Sequence, residues 1–401
     1  MKVLKYLLFF IIFLFLSCSE DENVLNKEEG QLNAPTSYYV SAEMALTNAA
    51  AMLNKIEKAS SKATRASEKS SREVEEIEVL HSNLQTRSQA SNASVNSDLY
   101  LVNYANNKGF ALLSSDSRLR PIYAISDTGH IQMADTINNK AKALSMFFKN
   151  VYADIAYASS NPSAYEYDGK KFISDAQVSP KLWQNVRLWS QKYPYNKYCP
   201  FLKKDSTVVG CTALSIAQVM SYYSWPTKVG SLSIPWRSMK MGRNVDAIAK
   251  LLARLGKSDL LDIHYGKTAS GADSANYQRT FLAMRYENPG NFKVFTEASV
   301  RDALSSGPIL VIGSNIFGTS GHSWVMDGYA TNVENVSDKS TLYHCVWGWG
   351  GKSNGYFYWN YNILASNVVG LDINDNYNGY QAAKHELMDL HFMSNFKKVL
   401  K

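Results

Sequence analysis

The chain has 401 residues, with 42 lysines and arginines against 35 aspartates and glutamates, and therefore a formal net charge of +7. Hydrophobic residues make up 45% and charged residues 19%, which excludes a wholly disordered or fibrous chain. No Lys/Arg block is interleaved with aromatic residues, so nucleic acid is not an expected partner. The length alone predicts two or three domains.

The N-terminus has the pattern of an export signal. Lys2 and Lys5 precede an apolar run from Tyr6 to Leu16, which is shorter than the ~20 residues that span a bilayer. The run ends in Leu16-Ser17-Cys18, which resembles a bacterial lipobox and predicts lipidation of Cys18. An ordinary signal peptide cleaved nearby is the alternative interpretation.

An acidic cluster follows the predicted lipid site. Glu20, Asp21 and Glu22 resemble the surface-export tag of some Gram-negative lipoproteins. The sequence therefore predicts a cell-envelope or secreted protein, with an outer-membrane lipoprotein favoured and the lipid as its contact with the membrane.

The next segment has the signals of a small α+β domain. Ser41 is a plausible N-cap for a helix, and the stretch 57–77 favours a solvated helix extension or a loose linker. Two apolar runs on either side of Asn-Asn-Lys-Gly at 106–109 predict a β-hairpin, with a third strand over 122–125. An amphipathic helix is predicted over 141–158.

A polar linker rich in Asn, Pro, Ser and Gly is predicted to lead into a larger domain. Helical patterns occupy the first half of that domain, and apolar strand patterns occupy the second. The helices are predicted over 211–224, 244–256 and 296–306, and the strands over 308–313, 323–330, 341–347 and 355–360.

The four cysteines are Cys18, Cys199, Cys211 and Cys345. With Cys18 assigned to the lipid, three remain, so at least one thiol is free or paired with another molecule. No CxxC or Cys/His cluster has zinc spacing, so a structural zinc site is not expected. The cysteine chemistry predicted below needs no metal or organic cofactor. Whether Cys199 or Cys345 forms a disulfide stays open at this point.

Cys211 is the best candidate for a nucleophile. It follows Gly210 and opens a small, apolar run that predicts a buried helix. A helix N-terminus stabilises a thiolate and lowers the pKa of the thiol. A buried structural cysteine is the alternative.

His322 is the best candidate for the general base. It lies in Gly-His-Ser-Trp-Val-Met-Asp-Gly, at the start of an apolar strand and after a loop of small residues. Gly321 before it leaves space for a substrate backbone. His344 lies inside a strand and is interpreted as a packed core residue.

Two further residues fit supporting roles. Trp347, in Trp-Gly-Trp-Gly-Gly, is expected to wall the imidazole of His322, and a core hairpin is the competing interpretation. The side-chain amide of Gln191 could join the Cys211 N–H in an oxyanion hole. Its own local sequence indicates only a loop residue, which is the alternative interpretation.

Four motifs occur in this order: Trp-x-Gln-x-x-Pro-Tyr-Asn, Gly-Cys-x-Ala-x-x-x-Ala-Gln-x-Met, Gly-His-x-x-Val-x-Asp-Gly and Trp-Gly-Trp-Gly-Gly. Together they resemble the streptopain family of papain-like cysteine peptidases, and the stretch around Val102 and Phe110 resembles the inhibitory prodomain of those enzymes. The resemblance implies a zymogen that removes its own prodomain by a cut in the linker.

The resemblance assigns site residues by position. It implies that Cys211 is the nucleophile, His322 the base, Gln191 the oxyanion residue and Trp347 the shield. Ser270 and Gly271, in a Gly/Ser/Ala loop, match the family's substrate-cleft loop only loosely. Gly321 is the better candidate for a residue of the substrate cleft.

One position departs from the family pattern. The asparagine that usually precedes Trp-Gly-Trp-Gly-Gly, as a partner of the base, is Val346 here. A backbone carbonyl or Asp327 could orient His322 instead.

The sequence thus predicts a lipid-anchored cysteine endopeptidase made as a self-processing zymogen, acting on protein or peptide substrates and inhibited by its own prodomain. The expected fold is α+β: a papain-like domain, with a central helix on a twisted antiparallel sheet, preceded by a small α+β prodomain. The alternatives are a catalytically weakened surface-binding lipoprotein and a cell-wall amidase or transpeptidase. The expected segments are a signal peptide, an acidic tether, the prodomain, the linker and the catalytic domain, over residues 1–18, 19–34, 35–160, 161–180 and 181–401.

Overall fold

The computed structural model describes the core of both expected domains. The described residues are 38–61, 72–80, 98–132, 142–160, 176–287, 292–315, 321–331, 341–359, 376–377, 380–381, 388–394 and 396–398. The predicted signal peptide, Cys18 and the acidic tether lie outside them. Within the described part of the chain, no helix combines the length and the apolar character that crossing a bilayer requires.

Eight α-helices are described, α1 to α8 in chain order. Their bounds are Ala42–Ser61, Lys142–Ser160, Gln184–Arg187, Cys211–Tyr223, Trp236–Lys240, Val245–Leu255, Ala275–Ala283 and Glu297–Ser306.

Nineteen strands are described, β1 to β19. Their bounds are Val74–Leu80, Leu99–Tyr104, Phe110–Ser114, Ile122–Ser126, Ala176–Val178, Phe201–Leu202, Asp205–Ser206, Lys228–Val229, Leu232–Ser233, Tyr286–Glu287, Lys293–Val294, Ile309–Asn315, Gly321–Thr331, Leu342–Val346, Gly355–Tyr358, Asn376–Tyr377, Tyr380–Gln381, Met388–Met393 and Lys397–Lys398.

One sheet contains strands from both domains. Its strand order is β1-β2-β3-β4-β15-β14-β13-β12-β18-β11, with β5 beside β13. The seam between the domains is the antiparallel pairing of β4 with β15, in which Gly355 faces Ser126 and Phe357 faces Ala124. The first four strands and the strands of the C-terminal domain therefore share one hydrogen-bonded sheet.

The central helix α4 packs on this sheet in the catalytic half. All residues from Thr212 to Ser221 are buried, which explains why the run is small and apolar on every side. Leu214, Val325 and Val346 belong to one buried apolar cluster that joins the helix to β13 and β14. This arrangement confirms the expected papain-like α+β architecture.

The N-terminal domain forms as the sequence predicts in most places. The Ser41 hydroxyl accepts a hydrogen bond from the Met44 N–H and caps α1. Strands β2 and β3 form the expected hairpin, and Gly109 between them has φ +97°, where an added Cβ would lie 2.3 Å from the Ser126 carbonyl oxygen.

Two segments along this part of the chain form strands that the sequence pattern does not predict. Residues 74–77, expected to be helix extension or linker, belong to β1, whose edge position leaves charged residues in solvent while it pairs with β2. Residues 176–178, expected to be linker, form β5 against Tyr329–Thr331 of β13. The rest of the expected linker, 161–175, and the predicted loop 84–97 lie outside the described residues.

Candidate active site

Cys211 is the first residue of α4. Gly210 before it has φ +91°, and an added Cβ there would lie 2.8 Å from the Ser270 carbonyl oxygen. Glycine is therefore required both for the backbone turn and for the close approach of the 270 loop. The turn places the half-buried thiol of Cys211 at the positive end of the helix dipole.

The pKa of the Cys211 thiol is lowered from 9.0 to about 7. Burial acts in the opposite direction, but it is outweighed by the charge of His322 and by hydrogen bonds from His322, the Ser323 backbone and Thr212. Burial instead raises the pKa of Cys199 to about 11 and that of Cys345 well above its usual value. These three thiols of the described residues are free, so Cys199 and Cys345 form no disulfide there, and of the three only Cys211 has the electrostatics of a nucleophile.

Alkylation of Cys211 by iodoacetamide should therefore follow a titration with its midpoint near pH 7 rather than 9. A His322→Gln variant should move the midpoint upward, because the charge that stabilises the thiolate is gone. The rate is measured by peptide mass spectrometry of the full chain at successive pH values. Buried Cys345 is the internal control, and an unshifted midpoint in His322→Gln would contradict the pairing.

His322 lies near the start of β13, opposite Gly313 of β12. Its Nε2 is 2.9 Å from the Trp347 carbonyl oxygen. A carbonyl only accepts, so Nε2 carries the proton, and Nδ1 is left for the thiol. Of the two orienting groups considered from sequence, the backbone carbonyl has the required contact. Asp327 accepts instead from the Leu182 N–H and from His344.

Aromatic rings surround the imidazole. The ring centroid of Trp349 is 5.4 Å from that of His322, Trp324 is stacked at 6.1 Å, and Trp347 is at 6.5 Å. Trp347 was the residue predicted to lie beside the imidazole, but the ring nearest to it is that of Trp349, from the same motif. The backbone carbonyl of Trp347 accepts the hydrogen bond from His322, and the indole of Trp349 is the ring nearest to the imidazole.

Asn354 holds the turn that carries Trp347. Its side-chain oxygen accepts from the Trp347 N–H at 3.1 Å, and its amide donates to the Arg187 carbonyl. The Trp347 indole N–H donates to the Ser353 carbonyl. Asn354 was not predicted from the sequence, because it acts on His322 only through the Trp347 backbone that it holds in place.

Gln191 lies in a loop tied to both catalytic segments. Its carbonyl accepts from the Val209 N–H, two residues before Cys211, and the neighbouring Trp189 carbonyl accepts from the Gly350 N–H. The side chain is half-buried. The loop thus joins the start of α4 to the tryptophan turn.

The three candidate substrate residues differ in setting. The Ser270 hydroxyl donates to the Val208 carbonyl and accepts from the Gly266 N–H, so it stabilises its own loop. Gly271 has open space at its Cβ position, whereas a Cβ on Gly321 would meet the Gly313 carbonyl at 2.8 Å. Gly271 therefore has free space beside its backbone, whereas the Gly321 backbone lies close to Gly313 and the Ser270 carbonyl lies close to Gly210.

A buried hydroxyl network lies behind the catalytic pair. The Thr212 hydroxyl is 3.0 Å from that of Tyr277, and the Ser215 hydroxyl is 2.8 Å from that of Ser323. Thr212 follows Cys211 and Ser323 follows His322, so these bonds fix the helix and the strand on which the two reactive groups sit. Within the described residues, no group of three or more His, Cys, Asp or Glu side chains could hold a metal ion.

A thiol with a lowered pKa at a helix start, paired with a histidine on the facing strand, defines a papain-like cysteine hydrolase. The Peptidase C10 family model matches residues 189–357, and the Spi protease inhibitor model matches residues 37–155. The chain is therefore similar to Peptidase C10 cysteine peptidases over its C-terminal part and to a protease inhibitor ahead of that part. Together the two similarities and the site support a cysteine peptidase with an inhibitor-type prodomain.

Known proteins agree with this assignment. Streptopain of Streptococcus pyogenes is 26% identical over 341 residues, covering 72% of this chain and 80% of that protein. The thiol protease/hemagglutinin PrtT of Porphyromonas gingivalis is 22% identical, covering 74% of this chain and 37% of that protein. A prointerpain A fragment of Prevotella intermedia has the same fold, with a TM-score of 0.52 and 19% identity, over 80% of this chain and all of the fragment.

Proposed function

We propose that this cysteine peptidase is an exported endopeptidase made as a zymogen, and that it removes its own N-terminal domain by cutting within residues 161–180. The observation that carries this proposal is the Cys211 thiol, whose pKa of about 7 comes from the His322 charge and hydrogen bond. The seam between β4 and β15, with the inhibitor-type segment in place, supports the zymogen.

In the proposed reaction the Cys211 thiolate attacks the peptide carbonyl and forms a tetrahedral oxyanion. The Cys211 N–H and the Gln191 amide stabilise that oxyanion. His322 gives its Nδ1 proton to the leaving amine as the C–N bond breaks, which leaves a thioester on Cys211. His322 then takes a proton from water as the oxygen attacks the thioester carbonyl. The C–S bond breaks, the carboxylic acid product leaves, and the Cys211 thiolate and the protonated His322 are restored.

Export by lipidation at Cys18 is the second part of the proposal. Its support is the short apolar run after Lys2 and Lys5 and the small residue before Cys18. Metabolic labelling with a palmitate analogue in a Gram-negative host should mark the parent chain and not Cys18→Ala. If neither chain is labelled, an ordinary signal peptide becomes the better interpretation of the N-terminus.

Self-maturation is tested with residues 19–401 and a Cys211→Ala twin, followed by intact mass over time. The parent should be cut within 161–180, and the twin should stay whole. If both stay whole, and if a catalytic domain freed by an added protease is inert on casein, the peptidase proposal fails and a surface-binding lipoprotein becomes the better account. Activity of that freed domain on peptidoglycan but not on casein would favour the amidase.

A further inference from the structure

The N-terminal domain reaches the catalytic turn through two residues that follow β4, Asp127 and Thr128. The Asp127 N–H donates to the Asn354 carbonyl at 2.6 Å, and the Ser353 N–H donates to the Thr128 carbonyl. The Thr128 hydroxyl donates to the Gly351 carbonyl at 2.7 Å. These contacts are on the turn that presents the Trp347 carbonyl to His322.

The Asp127 side chain continues past this turn to His344. Its carboxylate is 3.1 Å from His344 Nε2, while Nδ1 of the same ring is 2.6 Å from the Asp327 carboxylate. His344 and Asp327 are fully buried, and the Asp127 side chain is 41% exposed. Both ring nitrogens face acceptors, so both must carry protons, and the imidazole must be charged.

The charges around this cluster are consistent with a protonated ring. Burial disfavours the charged form, but the two carboxylates outweigh it and raise the pKa of His344 to about 9. The pKa of Asp127 is lowered, because the hydrogen bond and charge of His344, followed by the charges of Arg187 and Arg72, outweigh the loss of water around its partly exposed carboxylate. Lys181 lies near Asp327, and the Tyr356 ring packs edge-on at 5.0 Å.

We propose that His344 is the recognition site on the catalytic domain for a carboxylate of its own N-terminal domain, and that the Asp127–His344 ion pair latches that domain onto the turn that carries Trp347. The inference rests on the proposed zymogen function. Asp327 stays with His344 after the N-terminal domain leaves. Release of Asp127 therefore leaves the protonated ring paired with one buried carboxylate, with no net charge, rather than as an unpaired buried cation.

The latch has a defined pH range. With the N-terminal domain docked, the pKa of His344 is raised to about 9, so the ring keeps its charge, and the pair its attraction, until the pH rises through about 9. An aspartate with a lowered pKa contributes above its unfolded value of 3.8 and loses that contribution as the pH falls further. The pair is therefore engaged at neutral pH and weakens toward strong acid and above about pH 9.

The test uses hydrogen exchange of the full chain carrying Cys211→Ala, so that no self-processing interferes. Asp127→Asn keeps the shape and removes the charge, and Glu43→Gln, at an exposed position of α1, is the matched control. In Asp127→Asn at neutral pH, the β15 amides Gly355–Tyr358 should exchange about tenfold faster. The amides of β12 should be unchanged, which separates loosening of the seam from loss of the fold.

In the active chain, Asp127→Asn should process itself several-fold faster than the parent at pH 7, and the two rates should converge above pH 9. The mature products have the same sequence, so equal kcat/KM values are the internal control. If β15 exchange in Asp127→Asn matches that in Glu43→Gln, the latch is overturned, whether or not the chain matures itself. Faster exchange without any self-processing keeps the latch and removes the self-maturation proposal.

Discussion

Replacing His322 by alanine is expected to lower kcat/KM of the mature enzyme by about 10³-fold or more, because general acid–base catalysis and stabilisation of the thiolate are lost together. The geometry concentrates both roles in this ring, which contributes charge and a hydrogen bond to Cys211 and is oriented by the Trp347 carbonyl. Activity is measured on a fluorogenic peptide after an added protease has removed the N-terminal domain.

His391→Ala is the control for this loss. His391 lies on β18, opposite Ile312 of the neighbouring strand β12, and outside the catalytic pair. It should change kcat/KM by less than a factor of about two. Equal losses in the two variants, with both still folded by circular dichroism, would mean that His322 is not the base.

Replacing Asp327 by alanine should lower the free energy of unfolding by about 3–5 kcal/mol, the usual cost of breaking a buried ion pair. Asp327 is fully buried between the Leu182 N–H and His344. Without it, a protonated histidine loses its inner partner, and a buried N–H loses its acceptor. Urea unfolding of the Cys211→Ala chain, with and without the change, gives the difference.

Asp259→Ala gives the comparison for an exposed carboxylate. Asp259 is 62% exposed in its pair with Arg254, and its removal should cost no more than about 1 kcal/mol. A stable Asp327→Ala chain whose mature form has lost kcat/KM selectively would assign Asp327 to the orientation of His322. Large destabilisation, with a catalytic pH profile preserved in Asp327→Asn, would assign it to the His344 cluster.

Local sequence was sufficient to predict the elements that carry the reactive groups. Gly210 before a small, apolar run identifies the start of α4, and an apolar strand after His322 identifies β13. The group that orients His322 could not be predicted uniquely. Every residue type has a backbone carbonyl, so the role of the Trp347 carbonyl does not depend on which residue stands at that position. Val346 showed only that the side-chain partner is missing.

Long-range contacts explain what the sequence analysis missed. His344 was interpreted as a core residue from its apolar strand, and its burial agrees with that, but the carboxylate on Nε2 comes from Asp127, 217 residues earlier in the chain. Strand β1 contains three glutamates in seven residues, a poor strand composition. It forms because β2 offers a pairing edge, which no local pattern reveals.

The pairing of β4 with β15 also bears on the solubility of the mature enzyme. Among the described strands, β15 lies between β4 and β14, and its sequence Gly-Tyr-Phe-Tyr carries no charge to discourage pairing with another chain. Phe357 now packs on Phe110 and Phe147 of the N-terminal domain. Maturation would uncover this aromatic edge, so the precursor is the form suited to storage at high concentration, and the active form should self-associate as its concentration rises.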